Sequence, residues 1–421
     1  MKLLVHFTLL LFLYPMSSSK AQALYDENNV PFFKVPNPLT TFEGEKISTA
    51  SEWKNKRRPE ILQYFTNEVY GAFPAHKPHL SSKILEKDHN ALGGMAKRLQ
   101  IEQTFSRDNK SLTFTILLYL PKEVANAPIF LGYNFFGNHT VTDETEVLVS
   151  TAWTNNNALL GITNHTLTEQ TRGAKSSRWP LTQIIEAGYG LATIYYGEVD
   201  PDKNDFSDGI HALFYQNGQQ HPKENEWGSI AAWAWGLHRT MDFLERYEET
   251  KNSKVIVFGH SRLGKAALWA GANDERFAAV ISNNSGCGGA AMSKRTYGET
   301  IATINQRFPH WFCSNFQKYN NNETALEVDQ HQLLALIAPR PLYIASAEED
   351  RWADPKGEFL AAYYATPVYE LFKKKGIPSL EMPVTNTPIL NTLAYHIRSG
   401  KHDITEYDWE QYIKWANRFL R

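Results

Sequence analysis

The chain has 421 residues, of which 42% are hydrophobic and 13% aromatic, and its formal net charge at pH 7 is −2. This composition supplies a large buried core and excludes a disordered or low-complexity chain. The balanced charge, without a basic tract, argues against a nucleic-acid partner. Two cysteines, Cys287 and Cys313, are too few for a disulfide framework, and no cysteine–histidine cluster has the spacing of a zinc site.

The N-terminal residues predict an export signal. Lys2 precedes an apolar run over 3–14, and Ala21-Gln22-Ala23 offers the small-x-small pattern that signal peptidase requires. The run is shorter than the about 20 residues that span a bilayer, which argues against the alternative of a membrane anchor. We therefore predict a signal peptide over 1–23, a secreted or periplasmic location and a single domain over 24–421. In an exported protein the two cysteines can pair or stay free, and the sequence leaves this open.

The first half of the mature chain predicts one helix and then strands. Apolar residues at helical spacing predict a helix over 51–73, with Ser51 as its N-cap. The stretch over 137–178 is polar and weakly periodic, and its length indicates a functional insertion rather than a connector. Between these two segments, β-branched and aromatic residues predict strands over 98–105, 112–120 and 128–135.

Predicted helices and strands alternate in the second half of the chain. Short apolar strands separated by helices imply an α/β protein with a mostly parallel sheet that is covered on both faces. The predicted helices cover 181–187, 227–247, 264–272 and 409–420, and the predicted strands cover 191–196, 254–258, 277–282 and 341–345.

One serine lies in a strand–turn–helix segment. In 254–265 the strand ends at Phe258, Gly259 permits a sharp turn, and Ser261 lies at its apex. The next helix points its N-terminus at this serine, which favours negative charge developing there. The second glycine, Gly264, comes three residues after the serine instead of two, so the nucleophile-elbow pattern is only partly met. An ordinary N-capping serine is the alternative interpretation.

A nucleophilic serine needs a base, and the base needs an orienting acid. In α/β-hydrolases these residues follow in the order serine, acid, histidine. The last predicted strand runs into an acidic loop with Glu349 and Asp350, and His402 lies in a glycine-containing loop before the final helix. His396 is the nearest competing histidine, but it follows an apolar stretch and is expected to be structural. The order therefore predicts an α/β-hydrolase fold in which His402 activates Ser261.

Seven segments in order resemble the glucuronoyl esterases of carbohydrate esterase family 15, especially the bacterial members. The resemblance implies an α/β-hydrolase fold and a serine esterase that cleaves esters of (4-O-methyl-)D-glucuronic acid, as in lignin–glucuronoxylan cross-links. The displaced glycine is the form that this family's Gly-x-Ser-Arg-x-Gly motif takes. The seven segments are 53–74, 134–139, 259–265, 285–289, 308–312, 329–340 and 349–355.

The resemblance also implies roles for four further residues. Arg262 resembles the arginine that helps to hold the oxyanion, a role that suits a fixed guanidinium group. Lys265, Glu299 and Trp352 resemble the lysine, acid and tryptophan that contact the sugar. The alternative interpretations are a solvated lysine, a surface glutamate and a core tryptophan.

The acid of the triad departs from the fungal pattern. Fungal members carry a glutamate directly before the Ser-Gly-x-Gly-Gly block, where this chain has Asn284. An amide carries no charge to stabilise an imidazolium, so the acid is expected in the loop after Ala347, as in many bacterial relatives. Asp350 is favoured and Glu349 is the alternative.

Two other functions compete with this prediction. One is an acetyl-xylan or feruloyl esterase on the same fold, and the other is a non-catalytic xylan-binding protein. Uronate esters differ from the first class because they put bulk and hydroxyl groups on the acyl side of the ester. We expect a glucuronoxylan or lignin–carbohydrate ester as substrate, no metal or organic cofactor, no nucleic-acid partner, no membrane span and a monomer.

Overall fold

A computed structural model describes residues 23–216 and 218–421. The predicted signal peptide therefore lies, apart from Ala23, outside the described residues. Nine strands form one sheet in the spatial order β1-β2-β3-β5-β4-β6-β7-β8-β9. The strands are β1 (His79–Asn90), β2 (Ala96–Arg107), β3 (Lys110–Pro121), β4 (Ile129–Asn134), β5 (Gly190–Tyr195), β6 (Val255–His260), β7 (Ala279–Asn283), β8 (Leu342–Ala347) and β9 (Leu393–Arg398).

The sheet is mostly parallel, as the sequence predicts. Strands β1, β2, β3 and β5 pair antiparallel, and every neighbouring pair from β5 to β9 is parallel. Alternate residues of β6 enter the two cores on either side of the sheet: Val257 packs in the core that holds Trp269, and Phe258 in the core that holds Trp409. Both faces are thus covered, which confirms the predicted α/β-hydrolase fold.

Helices cover the two faces of the sheet. Helices α1 and α2 are joined by a π-helical turn over Trp53–Arg57 and extended by another over Thr66–Tyr70, which makes one continuous helix. In the described part of the chain the helices are α1 (Ala50–Glu52), α2 (Arg58–Phe65), α3 (Ala91–Gly94), α4 (Leu181–Glu186), α5 (Tyr196–Val199), α6 (Gly209–Phe214), α7 (Ser229–Leu244), α8 (Arg262–Asn273), α9 (Ile301–Arg307), α10 (Gln330–Ala335), α11 (Pro355–Leu371) and α12 (Glu406–Phe419).

The predicted N-cap of the first helix is wrong by two residues. Thr49, not Ser51, caps α1: its side chain accepts from the Glu52 N–H, and the Glu52 carboxylate accepts from the Thr49 N–H. This reciprocal pair satisfies two of the free N–H groups at the helix start, which a serine at the second helical position cannot do. Gly71, with φ of 83°, ends the helix.

Three further features concern the cysteines, the lengths of the helices and the 137–178 stretch. Cys287 and Cys313 are both free and buried. Between residues 23 and 421, leaving aside residue 217, no helix is long and apolar enough to cross a membrane. The 137–178 stretch is built from short 3-10 turns, which cover Asn138–Val141, Ala158–Leu160, Glu169–Thr171 and Ser176–Arg178.

Candidate active site

Ser261 lies at the apex of a tight turn between β6 and α8. Its backbone has φ of 59° and ψ of −130°, a region that residues other than glycine rarely adopt. A Cβ atom on Gly259 would lie 2.0 Å from the Leu263 carbonyl oxygen, so only glycine fits there. A Cβ on Gly264 would lie 3.0 Å from the Gly259 carbonyl oxygen. The displaced second glycine thus relieves crowding in the same turn, and the segment has the strained backbone geometry that is typical of a nucleophile elbow.

His402 contacts Asp350 and not Glu349. Its Nδ1 lies 2.5 Å from Asp350 Oδ2, and this same oxygen accepts a hydrogen bond of 2.8 Å from Asn284 Nδ2. Asp350 is buried, with 6% of its surface exposed, whereas Glu349 is exposed. The His402 side chain is 42% exposed, so one side of the ring remains open to solvent. This arrangement can hold an imidazole in one tautomer and stabilise its protonated form.

One cavity of about 290 Å³ brings the predicted site residues together. Glu349 is the one predicted residue that does not line it. Several lining residues were not singled out from the sequence, and among them are two aromatic rings and an arginine. The predicted residues in the lining are Ser261, Arg262, Lys265, Glu299, Asp350, Trp352 and His402. Asn284, which replaces the fungal glutamate, also lines the cavity, and the residues that were not singled out include Arg307, Phe308 and Trp311.

Arg262 is held beside Ser261 by a buried carboxylate. Its guanidinium group forms an ion pair with Asp202 and lies 4.6 Å from the Trp311 ring centroid. Asp202 also accepts hydrogen bonds from His310 Nε2 at 2.9 Å and from Trp311 Nε1 at 2.8 Å. Burial penalises the charge on Asp202, but Arg262 and His310 outweigh it and hold its pKa below the usual range.

Two donors of Arg262 have no hydrogen-bond acceptor among the described residues. Its Nε is buried without a hydrogen-bond partner among the described residues. Its backbone N–H belongs to the first residue of α8, where no preceding helical turn supplies a carbonyl acceptor. Donors that are fixed and desolvated stabilise a developing oxyanion more strongly than water does.

We expect Arg262→Lys to lower kcat by about 10²-fold with KM little changed, because lysine keeps the charge opposite Asp202 and loses the planar Nε donor. Measurements of kcat per active site and of the melting temperature, for wild type and for the variant, test this prediction. A kcat within threefold of wild type would show that Arg262 serves only to neutralise Asp202.

The comparisons with known proteins return carbohydrate esterases. A family model described as glucuronyl esterase, fungi, matches residues 178–373. A carbohydrate esterase from an unknown prokaryotic organism is 46% identical over 397 residues, which cover 94% of this chain and 92% of the relative. The solved structure of a promiscuous family 15 esterase from a marine bacterial metagenome is 45% identical, with a TM-score of 0.89, and covers 95% of this chain and 100% of that one. The structure of a glucuronoyl esterase from Solibacter usitatus is 46% identical, with a TM-score of 0.88, and covers 94% and 100%.

This chain belongs to the glucuronoyl esterase family, carbohydrate esterase family 15. The residues that resemble the family's sugar contacts lie in the cavity rather than on the surface or in the core. Lys265 is buried and donates to the Ser285 carbonyl oxygen at 2.6 Å, and its Nζ lies 4.0 Å from Glu299 Oε2. Burial lowers the pKa of Lys265 and raises that of Glu299, the latter partly offset by the lysine's charge. Trp352 is half-buried, with the Arg307 guanidinium 5.3 Å from its ring centroid.

Sequence reasoning missed the residues of this family member that hold Arg262. His310 and Trp311 fall inside the 308–312 segment that carries the resemblance, but the resemblance assigns them no role. Asp202 lies 60 residues before Arg262 in the chain, on a loop after α5, and no local pattern marks it. Only the folded chain brings these three side chains together.

The N-terminal segment over 24–27 packs against the loops that carry Glu299 and Trp352. The Leu24 carbonyl accepts from the Gly298 N–H at 2.9 Å, and the Tyr25 carbonyl accepts from the Arg351 side chain. Glu27 pairs with two basic side chains next to these loops, namely Arg295 at 2.7 Å and Lys356 at 2.8 Å. The N-terminal segment of this family member thus supports the wall of the cavity.

Proposed function

We propose that this protein is a serine esterase that hydrolyses esters of (4-O-methyl-)D-glucuronic acid, such as those that join lignin to glucuronoxylan. One observation carries the proposal: a buried pair of opposite charges, Lys265 and Glu299, lines the same cavity as Ser261 and His402. Buried charges persist where they have partners, and here they offer a donor and an acceptor for sugar hydroxyl groups. Membership of the glucuronoyl esterase family supports the same conclusion.

The mechanism follows from the contacts of the triad. His402 Nε2 takes the proton of the Ser261 hydroxyl as its oxygen attacks the uronate carbonyl, while Asp350 stabilises the imidazolium. Arg262 Nε and backbone N–H groups hold the oxyanion. His402 then gives its proton to the leaving alcohol, which leaves an acyl-enzyme. His402 then takes a proton from water, whose oxygen attacks the acyl carbon. The bond to Ser261 Oγ breaks as His402 returns this proton to Oγ, which releases the uronic acid and restores the serine hydroxyl.

The acyl side of the ester is expected to face Lys265. This lysine lies one helical turn after Ser261 on α8 and lines the same cavity. A uronate ring would reach Lys265, Glu299 and Trp352, and an acetyl group would leave them without contacts. The cavity therefore favours uronate esters over the acetate esters of the competing esterase classes.

A substrate panel tests this specificity. We expect wild-type protein to cleave benzyl glucuronate far faster than acetylated xylan, feruloyl esters or aryl acetates, and Ser261→Ala to cleave none of them. Turnover of acetates without turnover of benzyl glucuronate would overturn the substrate assignment and favour the acetyl-xylan alternative. Binding of xylan by a protein that hydrolyses none of these esters would favour the non-catalytic alternative.

Glu299→Gln is expected to raise KM for benzyl glucuronate about tenfold and to leave aryl acetate turnover unchanged, because an uncharged amide accepts more weakly than a carboxylate. Burial raises the pKa of Glu299, so wild-type KM should rise as pH falls through that raised pKa, and this rise should vanish in the variant. The control is Glu349→Gln, an exposed carboxylate outside the cavity. A KM that is equally pH-dependent in wild type and Glu299→Gln would contradict the role.

We further propose that residues 1–23 direct export, that the protein acts in a secreted or periplasmic location, and that 24–421 works as one catalytic domain in a monomer. N-terminal sequencing of exported protein and light scattering in solution test these points. A first residue other than Leu24, or a mass near twice that of one chain, would contradict them.

A further inference from the structure

A second imidazole lies against the predicted base. His260 immediately precedes Ser261, and its ring centroid lies 4.5 Å from that of His402, with 40° between the ring planes. His260 is buried, with 6% of its surface exposed, and it does not line the cavity. It therefore packs on His402 without occupying space that a substrate needs.

Asn283 fixes the orientation of His260. The two residues are partners in the parallel register of β6 and β7, and His260 Nδ1 lies 2.6 Å from Asn283 Oδ1. Asn283 Nδ2 donates to Asp408 Oδ1 at 3.0 Å and to Tyr412 Oη at 2.9 Å. Since a carboxylate accepts and does not donate, the amide nitrogen must face Asp408 and the amide oxygen must face His260. His260 Nδ1 consequently carries the hydrogen, and a neutral ring leaves Nε2 without one.

Asp408 anchors this network in the first turn of α12. It accepts from His396 Nε2 at 3.0 Å, from Arg398 Nε at 2.8 Å and from the Thr405 N–H at 2.7 Å. Burial penalises its charge, but His396 and Arg398 outweigh that penalty and lower the pKa of Asp408. A carboxylate that is charged and fully engaged gives Asn283 a single orientation.

The charges around His260 favour its neutral form. Burial, and then the neighbouring His402, Arg178 and Arg398, hold the pKa of His260 well below its usual range, although the hydrogen bond with Asn283 opposes them. Two imidazolium rings in contact would repel each other. A neutral His260 therefore lets His402 accept the serine proton without a like charge against its face.

We propose that His260 is a positioning residue: its ring, locked by Asn283, holds the His402 imidazole in line between Asp350 and Ser261. The Asp350 hydrogen bond fixes Nδ1 but leaves the ring free to swing about that contact, and the His402 side chain is 42% exposed. A second ring, tilted by 40° and in contact with the first, restricts this freedom. The inference rests on the proposed role of His402 as the base.

Two substitutions distinguish the contribution of the His260 ring from that of its hydrogen bond to Asn283. His260→Phe keeps a flat ring and leaves Asn283 Oδ1 unpaired, and His260→Asn keeps a donor near Nδ1 and removes the ring contact with His402. We expect both to lower kcat per active site by about 10- to 100-fold with KM unchanged, because small displacements of a catalytic group cost this much. The rate of Ser261 labelling by a fluorophosphonate should fall in parallel, while the labelling end point counts the competent sites.

His238→Phe is the matched control, because this buried histidine lies outside the cavity, where its Nε2–H donates to the Ala270 carbonyl oxygen at 3.1 Å. It is expected to lower the melting temperature and to leave kcat per active site unchanged. If both His260 variants keep kcat and the labelling rate within twofold of wild type, or change KM alone, the proposal is wrong. Slower labelling of the His260 variants in a protein that cleaves no uronate ester would instead retain the positioning role and reject the proposed substrate.

Discussion

Ser261→Ala is expected to lower kcat for benzyl glucuronate by about 10⁶-fold, which is the loss seen when the nucleophile of a serine hydrolase triad is removed. The remaining donors of Arg262 and the sugar contacts still bind substrate, so KM should change little. Alanine and serine suffer the same backbone strain at φ of 59°, so the melting temperature should stay close to that of wild type. Single-turnover assays with benzyl glucuronate measure the residual rate.

Ser261→Gly is the informative companion variant. Glycine adopts a positive φ without the steric conflict of a Cβ atom, and such strain costs about 1–3 kcal/mol at one residue. We expect the glycine variant to be as inactive as the alanine variant and to unfold at a higher temperature than either alanine or serine. A residual kcat of either variant within 10²-fold of wild type would mean that another group is the nucleophile.

Asp350→Ala and Glu349→Ala, measured side by side, are expected to differ by about 10⁴-fold in kcat, close to the loss for the triad acid of a serine protease. Asp350 is buried against His402 Nδ1, whereas Glu349 is exposed. Without Asp350 the ring loses its fixed tautomer and the charge that stabilises its protonated form. Glu349→Ala should stay within twofold of wild type.

Asp350→Asn serves as the shape-matched control for this pair. It keeps the volume of the side chain and removes the charge, so a loss as large as that of Asp350→Ala would assign the effect to electrostatics. Small, equal losses for all three variants would place the orienting acid elsewhere. The rate of fluorophosphonate labelling should follow the same order as kcat, because it also requires a competent base.

The sequence predicts best those elements that are buried on both sides. Strands such as β6 and β8 are short apolar runs, and this pattern is typical of central parallel strands. β1 was missed because most of its residues are exposed, so that pairing with β2, rather than an apolar face, holds it in the sheet. α11 was missed because Pro367 lies inside it.

His396 is predicted to be structural, but the sequence does not predict the strand in which it lies or the residue that it contacts. It lies in β9, a strand that was missed because its last residues, His396 and Arg398, are polar. Their burial is explained only by Asp408 on α12, which contacts both. Similarly, the order of the triad residues could be predicted from the chain, and the support of Arg262 by Asp202 could not. Polar contacts between distant segments leave no periodic signal.

The convergence of two side chains on one oxygen of Asp350 bears on how such sites change over evolution. Asn284 follows β7 and Asp350 follows β8, and these neighbouring strand ends approach His402 from the same edge of the sheet. A carboxylate acquired at position 284 would lie beside Asp350 Oδ2, the oxygen that contacts the imidazole, while Asp350 was still present. An ancestral sequence could therefore have passed the acid from one strand to the next through a functional intermediate with both, without ever moving the histidine.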